Sequence, residues 1–326
     1  SSVVIMPKTS YNEKLQEMIN DGIANGKYQR TSDNTIQDLQ SFQSFLYRNF
    51  KNCKNEHFFY SDVRPTSNKP AVLFATAKTH KFADFKNITT ENLKLRPIIS
   101  TCGTYYYQSA KSLAKYLAPL AENEYTIKDT LEFSDRLKDR TLDEDEVLVS
   151  YDVSSLFTEV PLEETIDYII HQIYSENKLP HLSNKRIFKR LLQKVTQGSV
   201  FSFNGNLYKQ IDGCGMGNPL SPVIANIFMS KLENDVVTPQ APPFYDRYVD
   251  DIFTKKSKNK SDELLESMNC YHKNIKFTVE ENPTHFLDTE LHFTENSFST
   301  SVSRKPGNYQ YIGRHKYRET GRKMQF

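Results

Sequence analysis

The sequence has no tryptophan, no closely spaced cysteines and no apolar stretch of the roughly 20 residues that a membrane-spanning helix needs. We therefore expect no transmembrane helix and no membrane partner. The four cysteines form no CxxC pair, which disfavours a structural zinc site. Cysteines so far apart are typical of reduced thiols in an intracellular protein.

A large net charge is also missing, because 42 Lys and Arg face 40 Asp and Glu, which leaves +2. The distribution is uneven, since residues 69–96 and 304–326 are basic whereas residues 138–146 are acidic. Basic patches on a near-neutral chain favour a groove that follows a phosphate backbone. Ordinary solvated surface is the alternative interpretation of each patch.

The chain does have the length and the apolar content of a folded protein, with 326 residues of which 37% are hydrophobic. The order of the predicted elements indicates an α+β protein in which one sheet carries helices on one face. Apolar periodicity predicts helices over residues 12–26, 34–50, 105–119, 161–174, 187–198, 219–236 and 261–272. Short apolar or alternating segments predict strands within residues 70–82, 93–100, 147–153, 200–213, 245–256, 275–282 and 286–296.

Two adjacent aspartates interrupt an apolar segment, YDRYVDDIFTKK (Tyr245–Lys256), and another aspartate, Asp152, ends the strand in LVSYDVSSLF. Two carboxylates about 4 Å apart repel by roughly 4 kcal/mol at an effective dielectric constant near 20. Divalent cations relieve this repulsion, and Mg²⁺ leaves room for substrate phosphates. Asp152, Asp250 and Asp251 therefore predict a two-metal phosphoryl-transfer site. Taken singly, each motif would indicate an ordinary turn or strand end.

Five motifs occur in a fixed order along the chain: LKLRPIIS, SYDVSSLF, GCGMGNPLSPVIANIFM, YVDDIF and FLDTELH. In that order they resemble the fingers motif, the first-aspartate strand, the nucleotide-pocket loop and helix, the YxDD box and the primer-grip region of reverse transcriptases. From Pro70 to Pro306 the pattern is most similar to the reverse transcriptases of Penelope-like retroelements. The resemblance implies a right-hand polymerase fold with fingers, palm and a partial thumb, and an antiparallel palm sheet backed by helices.

The resemblance also implies a division of the chain and an activity. Residues 1–69 would form an N-terminal helical extension, 70–145 the fingers, 146–295 the palm with inserted fingers helices near 160–200, and 296–326 a basic tail or the start of a thumb. The implied enzyme is an RNA-directed DNA polymerase that adds dNTPs to the 3′-OH of a DNA primer on an RNA template. Its mobile-element resemblance implies action in the nucleus.

The positions that match the family motifs have implied roles in metal binding and in the choice of sugar. The resemblance implies that Asp152 and Asp250 hold two Mg²⁺ ions, with Mn²⁺ as a substitute and with the carbonyl group of Val153 assisting. Asp251 would be the accessory carboxylate of the box. Phe157 would be the steric gate that rejects a ribose 2′-OH, and a core phenylalanine at a strand end is the alternative.

Three positions would supply cations to the nucleotide. Arg96 of RPI, together with Lys78 or Lys81 of AKTHK, would face the triphosphate, since a guanidinium group can bind phosphate in a bidentate manner. Lys276 would lie near the leaving pyrophosphate as a general acid, with Lys273 as the alternative.

The loop before the apolar helix would contact the base pair. Gly215 and Gly217 lack a Cβ atom and would let the backbone approach the base pair closely. Met216 stands where many reverse transcriptases have Gln, so the contact at this position becomes apolar.

Other functions are compatible with part of this pattern. One is an RNA-directed RNA polymerase or a maturase-like relative, which sugar selection at Phe157 would distinguish. Another is a catalytically inactive or truncated element-derived protein that binds RNA, and the sequence does not begin with Met. The three aspartates are intact, which favours the enzyme.

Overall fold

The structure of the chain is a computed structural model. Predictions that concern Lys81 and the basic segment 303–326 lie outside the described residues. The residues that the structure describes are 6–32, 35–78, 89, 92–197, 200–211, 213–259, 261–294 and 297–302.

Helices form where apolar residues recur with helical spacing, and the predicted helices are confirmed. All four isoleucines of the helix Leu162–Tyr174 are buried, and its first turn carries Glu163 and Glu164, where the helix dipole favours carboxylates. The helices are α1 (Lys8–Ala24), α2 (Thr35–Phe50), α3 (Tyr60–Val63), α4 (Tyr107–Leu117), α5 (Thr130–Lys138), α6 (Leu156–Glu159), α7 (Leu162–Tyr174), α8 (Lys185–Thr196), α9 (Ser221–Leu232), α10 (Thr238–Gln240) and α11 (Glu263–Tyr271). No helix within the described ranges is both long enough and apolar enough to cross a bilayer.

The strands belong to separate sheets, so the prediction of one sheet is wrong. Element order along a chain does not specify which strands pair, because pairing depends on contacts between distant segments. The strands are β1 (Tyr28–Arg30), β2 (Lys54–Asn55), β3 (Phe58–Phe59), β4 (Ala71–Ala77), β5 (Leu95–Ser100), β6 (Glu146–Val153), β7 (Val200–Phe203), β8 (Asn206–Gln210), β9 (Tyr245–Tyr248), β10 (Asp251–Ser257), β11 (Phe277–Glu281), β12 (His285–Phe286), β13 (Thr289–Thr294) and β14 (Ser297–Val302).

A four-stranded antiparallel sheet, in the order β11-β6-β10-β9, carries the aspartates. Side chains alternate along its central strand β6, so Val149, Tyr151 and Val153 enter the main hydrophobic core with α7 and α9. Asp152, on the alternate face, is exposed at the end of the strand. The predicted α+β architecture, with an antiparallel sheet backed by helices, is confirmed.

A five-stranded sheet in the order β1-β8-β7-β4-β5 packs against α1. Its β7–β8 hairpin turns at Asn204 and Gly205, which both have positive φ, as a two-residue hairpin of an Asn-Gly pair requires. This sheet draws strands from segments that the sequence assigned to the extension, the fingers and the palm. Those assignments remain predictions. The strands β12, β13 and β14 form a third sheet, whose Phe286 and Phe298 share a core with α5.

Candidate active site

The turn of the β9–β10 hairpin consists of Val249 and Asp250, with Asp251 as the first residue of β10. Val249 has a φ of 58°, in the left-handed region that a β-branched residue rarely adopts. Such a conformation persists only where the surroundings hold it. One restraint is the hydrogen bond from the backbone N–H of Val153 to the carbonyl oxygen of Asp250, 3.1 Å long. The hairpin turn is thereby attached to the end of β6.

The sheet register places the aspartates of the two motifs side by side. Asp251 of β10 is directly opposite Asp152 of β6. Directly opposed residues share a face of the sheet, and like charges in such a pair are destabilising. Asp250 is half-buried in the adjoining turn. Burial raises the pKa of Asp250 above the ordinary aspartate value, against the opposing effects of a backbone hydrogen bond and of the Arg96 charge. The carboxylates therefore lie where a cation would stabilise them.

A pocket of 460 Å³ lies at this end of the sheet. It combines two carboxylates of the four-stranded sheet with Lys78 and Arg96, which lie at the β4–β5 edge of the five-stranded sheet. The two sheets thus bring opposite charges to one cavity. The predicted site residues that line it are Lys78, Arg96, Asp152, Val153, Phe157, Met216 and Asp250.

Phe157 lies in the short helix α6, half-buried between the pocket and the main core. Its ring thus lines the pocket and also packs against the core, and the gate role stays a prediction. Ser155, just before α6, has a φ of 57° and turns the chain at the pocket. The carbonyl oxygen of Phe157 accepts a hydrogen bond from the backbone N–H of Cys214, 2.7 Å long, which holds α6 against the loop that carries Met216.

Asp251, Gly217 and Lys276 are not among the described residues that line the pocket. Lys276 is exposed, and its Nζ atom donates a hydrogen bond to the carbonyl oxygen of Asn269, 2.9 Å away. A Cβ atom at Gly217 would lie 2.2 Å from the carbonyl oxygen of Ile99 in β5. The close approach at Gly217 is thus to the protein's own backbone, which joins the loop to the five-stranded sheet.

Several other residues line the pocket that were not predicted individually as site residues. Ile98 lies two residues after Arg96 on the same strand face, so strand alternation could have found it. Ser221 and Pro222 begin α9, directly after the GMGNPL segment. Ser155 and Leu156 depend on the turn after β6, for which the sequence carries no clear signal.

Arg247, which was not predicted from the sequence, is fully buried beside the hairpin turn. Its guanidinium group has five N–H donors, and the structure offers five acceptors. Nη1 donates to the Val249 carbonyl oxygen (3.3 Å) and to Asn226 Oδ1 (2.8 Å). Nη2 donates to Thr126 Oγ1 (3.3 Å) and to Glu233 Oε2 (3.2 Å), and Nε donates to Glu233 Oε1. Arg247 therefore holds the strained turn through the Val249 carbonyl group.

The donor chemistry of the pocket fits a divalent metal ion. Asp152, Asp250 and Val153 present oxygen atoms, which Mg²⁺ and Mn²⁺ prefer. Within the described part of the chain, no group of three or more His, Cys, Asp and Glu side chains is arranged to hold a metal. The pocket is thus suited to ions whose remaining ligands are water and substrate phosphates, which is the usual situation for Mg²⁺ at nucleotide sites.

The sequence model of the family described as "Reverse transcriptase (RNA-dependent DNA polymerase)" matches residues 86–310, most of the 326-residue chain. That range contains Arg96, the aspartates and the loop with Met216. No curated protein matches the sequence at a significant level.

Among solved structures, the chain is similar to telomerase from Candida tropicalis in complex with a TWJ fragment of telomeric RNA. The TM-score is 0.53 at 13% identity, over 94% of this chain and 50% of that one. For apo telomerase from Candida tropicalis, truncated from its C-terminal domain, the TM-score is 0.48 at 13% identity. The match covers 85% of this chain and 63% of that one. For telomerase from Candida albicans in complex with the TWJ fragment, the TM-score is 0.48 at 11% identity. The match covers 84% of this chain and 52% of that one. The chain therefore spans half to just under two thirds of these proteins, and the first likeness shows a shared polymerase fold.

Proposed function

The chain belongs to the reverse transcriptase (RNA-dependent DNA polymerase) family, and on this premise we propose that it is the RNA-directed DNA polymerase of a Penelope-like retroelement. It adds dNTPs to the 3′-OH of a DNA primer on an RNA template. The order of the motifs from AKTHK to SRKP supports the Penelope-like assignment. The resemblance to a mobile element supports action in the nucleus as part of the same proposal.

The observation that carries the proposal is the pairing of opposite charges in one pocket. Asp152 and Asp250 come from the four-stranded sheet and its hairpin turn, Arg96 and Lys78 come from the β4–β5 edge of the five-stranded sheet, and all four line one pocket. A metal-bound nucleoside triphosphate needs both kinds of group, because its metal ions require carboxylates and its phosphates require cations. A cavity of 460 Å³ is of the size that small-molecule ligands occupy in proteins.

The residues of the chain have distinct roles in the proposed reaction. Asp152 and Asp250, with Val153, would hold two Mg²⁺ ions, which when bound would supply charge neutralisation for the attacking 3′-oxygen and for the leaving phosphates. Arg96 and Lys78 bind the triphosphate oxygens and orient the α-phosphate toward the primer. The primer 3′-hydroxyl group loses its proton to water, its oxygen bonds to the α-phosphorus, and the bond between the α-phosphorus and the α,β-bridging oxygen breaks to release pyrophosphate. Positioning and charge supply most of the rate enhancement.

Phe157 and Met216 provide the apolar walls of the pocket. The ring of Phe157 excludes a 2′-OH on the sugar of the incoming nucleotide. Asp251 acts from outside the pocket, where its charge lies opposite Asp152 and adds to the negative field that attracts cations. Lys276, which lies outside the pocket lining, has no assigned step in this mechanism.

Primer extension tests the proposal. The purified chain receives an RNA template, an annealed DNA primer, the four dNTPs and Mg²⁺ or Mn²⁺, beside the variant Asp250→Asn. We expect extension by the unaltered chain and none by the variant, because the substitution removes a charge from the metal site. Absence of extension by both proteins, with primer–template binding intact, would reject the enzyme in favour of an inactive RNA-binding protein.

A further inference from the structure

A second cleft lies between α2 and α8 and shares no described residue with the polymerase pocket. Its volume is 770 Å³. Four cations line this α2–α8 groove: Arg48, Arg186, Arg190 and Lys194. No Asp or Glu is among its described lining residues, so the groove presents one sign of charge to solvent.

The cations of α8 form a single ridge. Arg186, Arg190 and Lys194 are four residues apart, which places them on one helix face at intervals of about 6 Å along the axis. Like charges with this spacing destabilise a helix. Burial lowers the pKa of Lys194, the Arg190 charge lowers it further, and Asp38 opposes the shift. The ridge is thus a row of mutually repelling cations.

Salt bridges do not neutralise this row, although the Asp38 charge acts on Lys194. Within the described residues, none of the four groove cations has a carboxylate oxygen within 4.0 Å. Arg190 and Lys194 instead lie over the ring of Phe45, at 5.8 and 5.7 Å from its centroid. An aromatic floor positions the two cations without cancelling their charge. A polyanion that lies in the groove would remove the repulsion.

The opposite wall of the groove is mostly polar, and Arg48 is its one charged residue among the described lining residues. Gln37, Gln40, Ser41 and Ser44 of α2 line it, and Arg48 continues it by one helical turn. Amide and hydroxyl groups can both donate and accept hydrogen bonds. A ribose 2′-OH has the same dual capacity, and it is the group by which a protein distinguishes RNA from DNA.

We propose that the α2–α8 groove binds single-stranded RNA, with the cation ridge on its phosphates and the polar wall on its ribose hydroxyl groups. This inference rests on the proposed function, because the RNA is the template strand of that reaction. The groove holds the RNA at a place apart from the polymerase pocket. Contact with the template then persists while individual nucleotides enter and pyrophosphate leaves.

Fluorescence anisotropy tests the proposal on the full chain with a labelled single-stranded RNA. The variant Arg186→Gln/Arg190→Gln removes two groove cations and keeps helix-forming side chains. Its matched control, Lys111→Gln/Lys115→Gln, removes two exposed cations of α4 that line none of the described pockets. Circular dichroism melting checks that both variants fold.

We expect the groove variant to reduce the slope of log K against log salt by about 1.4, since each lost phosphate contact on a single strand accounts for about 0.7. At about 0.15 M salt that change corresponds to roughly tenfold weaker binding. The control should bind as the unaltered chain does. Equal slopes for the two variants would overturn the proposal, and equal affinity for single-stranded DNA of the same sequence would overturn the assignment to RNA.

Binding needs no turnover, so the two proposals can fail separately. If the unaltered chain extends no primer but its groove variant loses RNA affinity, the groove proposal stands and the polymerase proposal fails. If the unaltered chain extends primers but its groove variant binds RNA like the control, the polymerase proposal stands and the groove proposal fails.

Discussion

Replacing the buried Arg247 should lower the free energy of unfolding by an amount that the structure allows us to estimate. Both Arg247 and its partner Glu233 are fully buried, and Arg247 makes two of its five hydrogen bonds to that carboxylate. The substitution Arg247→Met introduces an apolar side chain of comparable length but leaves the Glu233 charge in the interior, where Asn123 Nδ2 still donates a hydrogen bond to Glu233 Oε2, 2.6 Å away. Removing one partner of a buried ion pair costs about 3 to 5 kcal/mol.

The whole free energy of unfolding of a protein is about 5 to 15 kcal/mol, so Arg247→Met should leave a barely stable chain. The double variant Arg247→Met/Glu233→Met removes both charges, and such replacements are often close to neutral. We therefore expect the double variant to be more stable than the single one, although it lacks the support to the Val249 carbonyl group. Thermal unfolding measured by circular dichroism distinguishes the two.

An exposed ion pair provides the matched control. Lys138 and Asp135 are 68% and 72% exposed, and Lys138→Met should leave the melting temperature unchanged, since solvent screens such pairs. Two results would refute the reasoning: a melting temperature of Arg247→Met equal to that of the control, or a double variant as unstable as the sum of its two single changes. Either would mean that water reaches Glu233.

Other predictions concern the pocket and its loop. Phe157→Ala should lower the preference for dNTPs over rNTPs in primer extension, and unchanged discrimination would refute the gate role. Gly217→Ala should destabilise the chain by about 1 to 3 kcal/mol more than Gly215→Ala in urea unfolding, because its Cβ atom meets backbone at 2.2 Å; equal midpoints would contradict this. Mg²⁺ should raise the melting temperature of the unaltered chain and have little effect on Asp250→Asn, since ions that bind only the folded state stabilise it. An identical Mg²⁺ response in both would exclude a metal site that depends on Asp250.

Much of the local structure was predictable because its causes lie within a few residues. The spacing of isoleucines in α7 and the Asn204-Gly205 pair of the β7–β8 hairpin each specify an element without help from the rest of the chain. The same is true of the turn at the YxDD box, where Asp250 interrupts an apolar alternation. Element type therefore agreed with prediction even where the arrangement of the sheets did not.

The candidate site was predictable only in part. Resemblance to a family identified the residue types of the pocket, and the structure brings seven of the predicted site residues together. Gly217 and Lys276 lie elsewhere, because one position in a motif can serve backbone packing or surface hydrogen bonding as readily as ligand contact. Arg247 was missed because an arginine in a short strand carries no sign of its burial.

The sequence by itself determined the helices, most of the strands and the adjacency of the three aspartates to apolar strand ends. These depend on backbone preferences and on the side-chain period of a single segment. Only the tertiary structure decided that Lys78 and Arg96 face Asp152 across one pocket, and that α2 and α8 enclose a basic groove. Those arrangements depend on packing between segments far apart in the chain, where the burial of apolar surface selects one set of neighbours that no local pattern encodes.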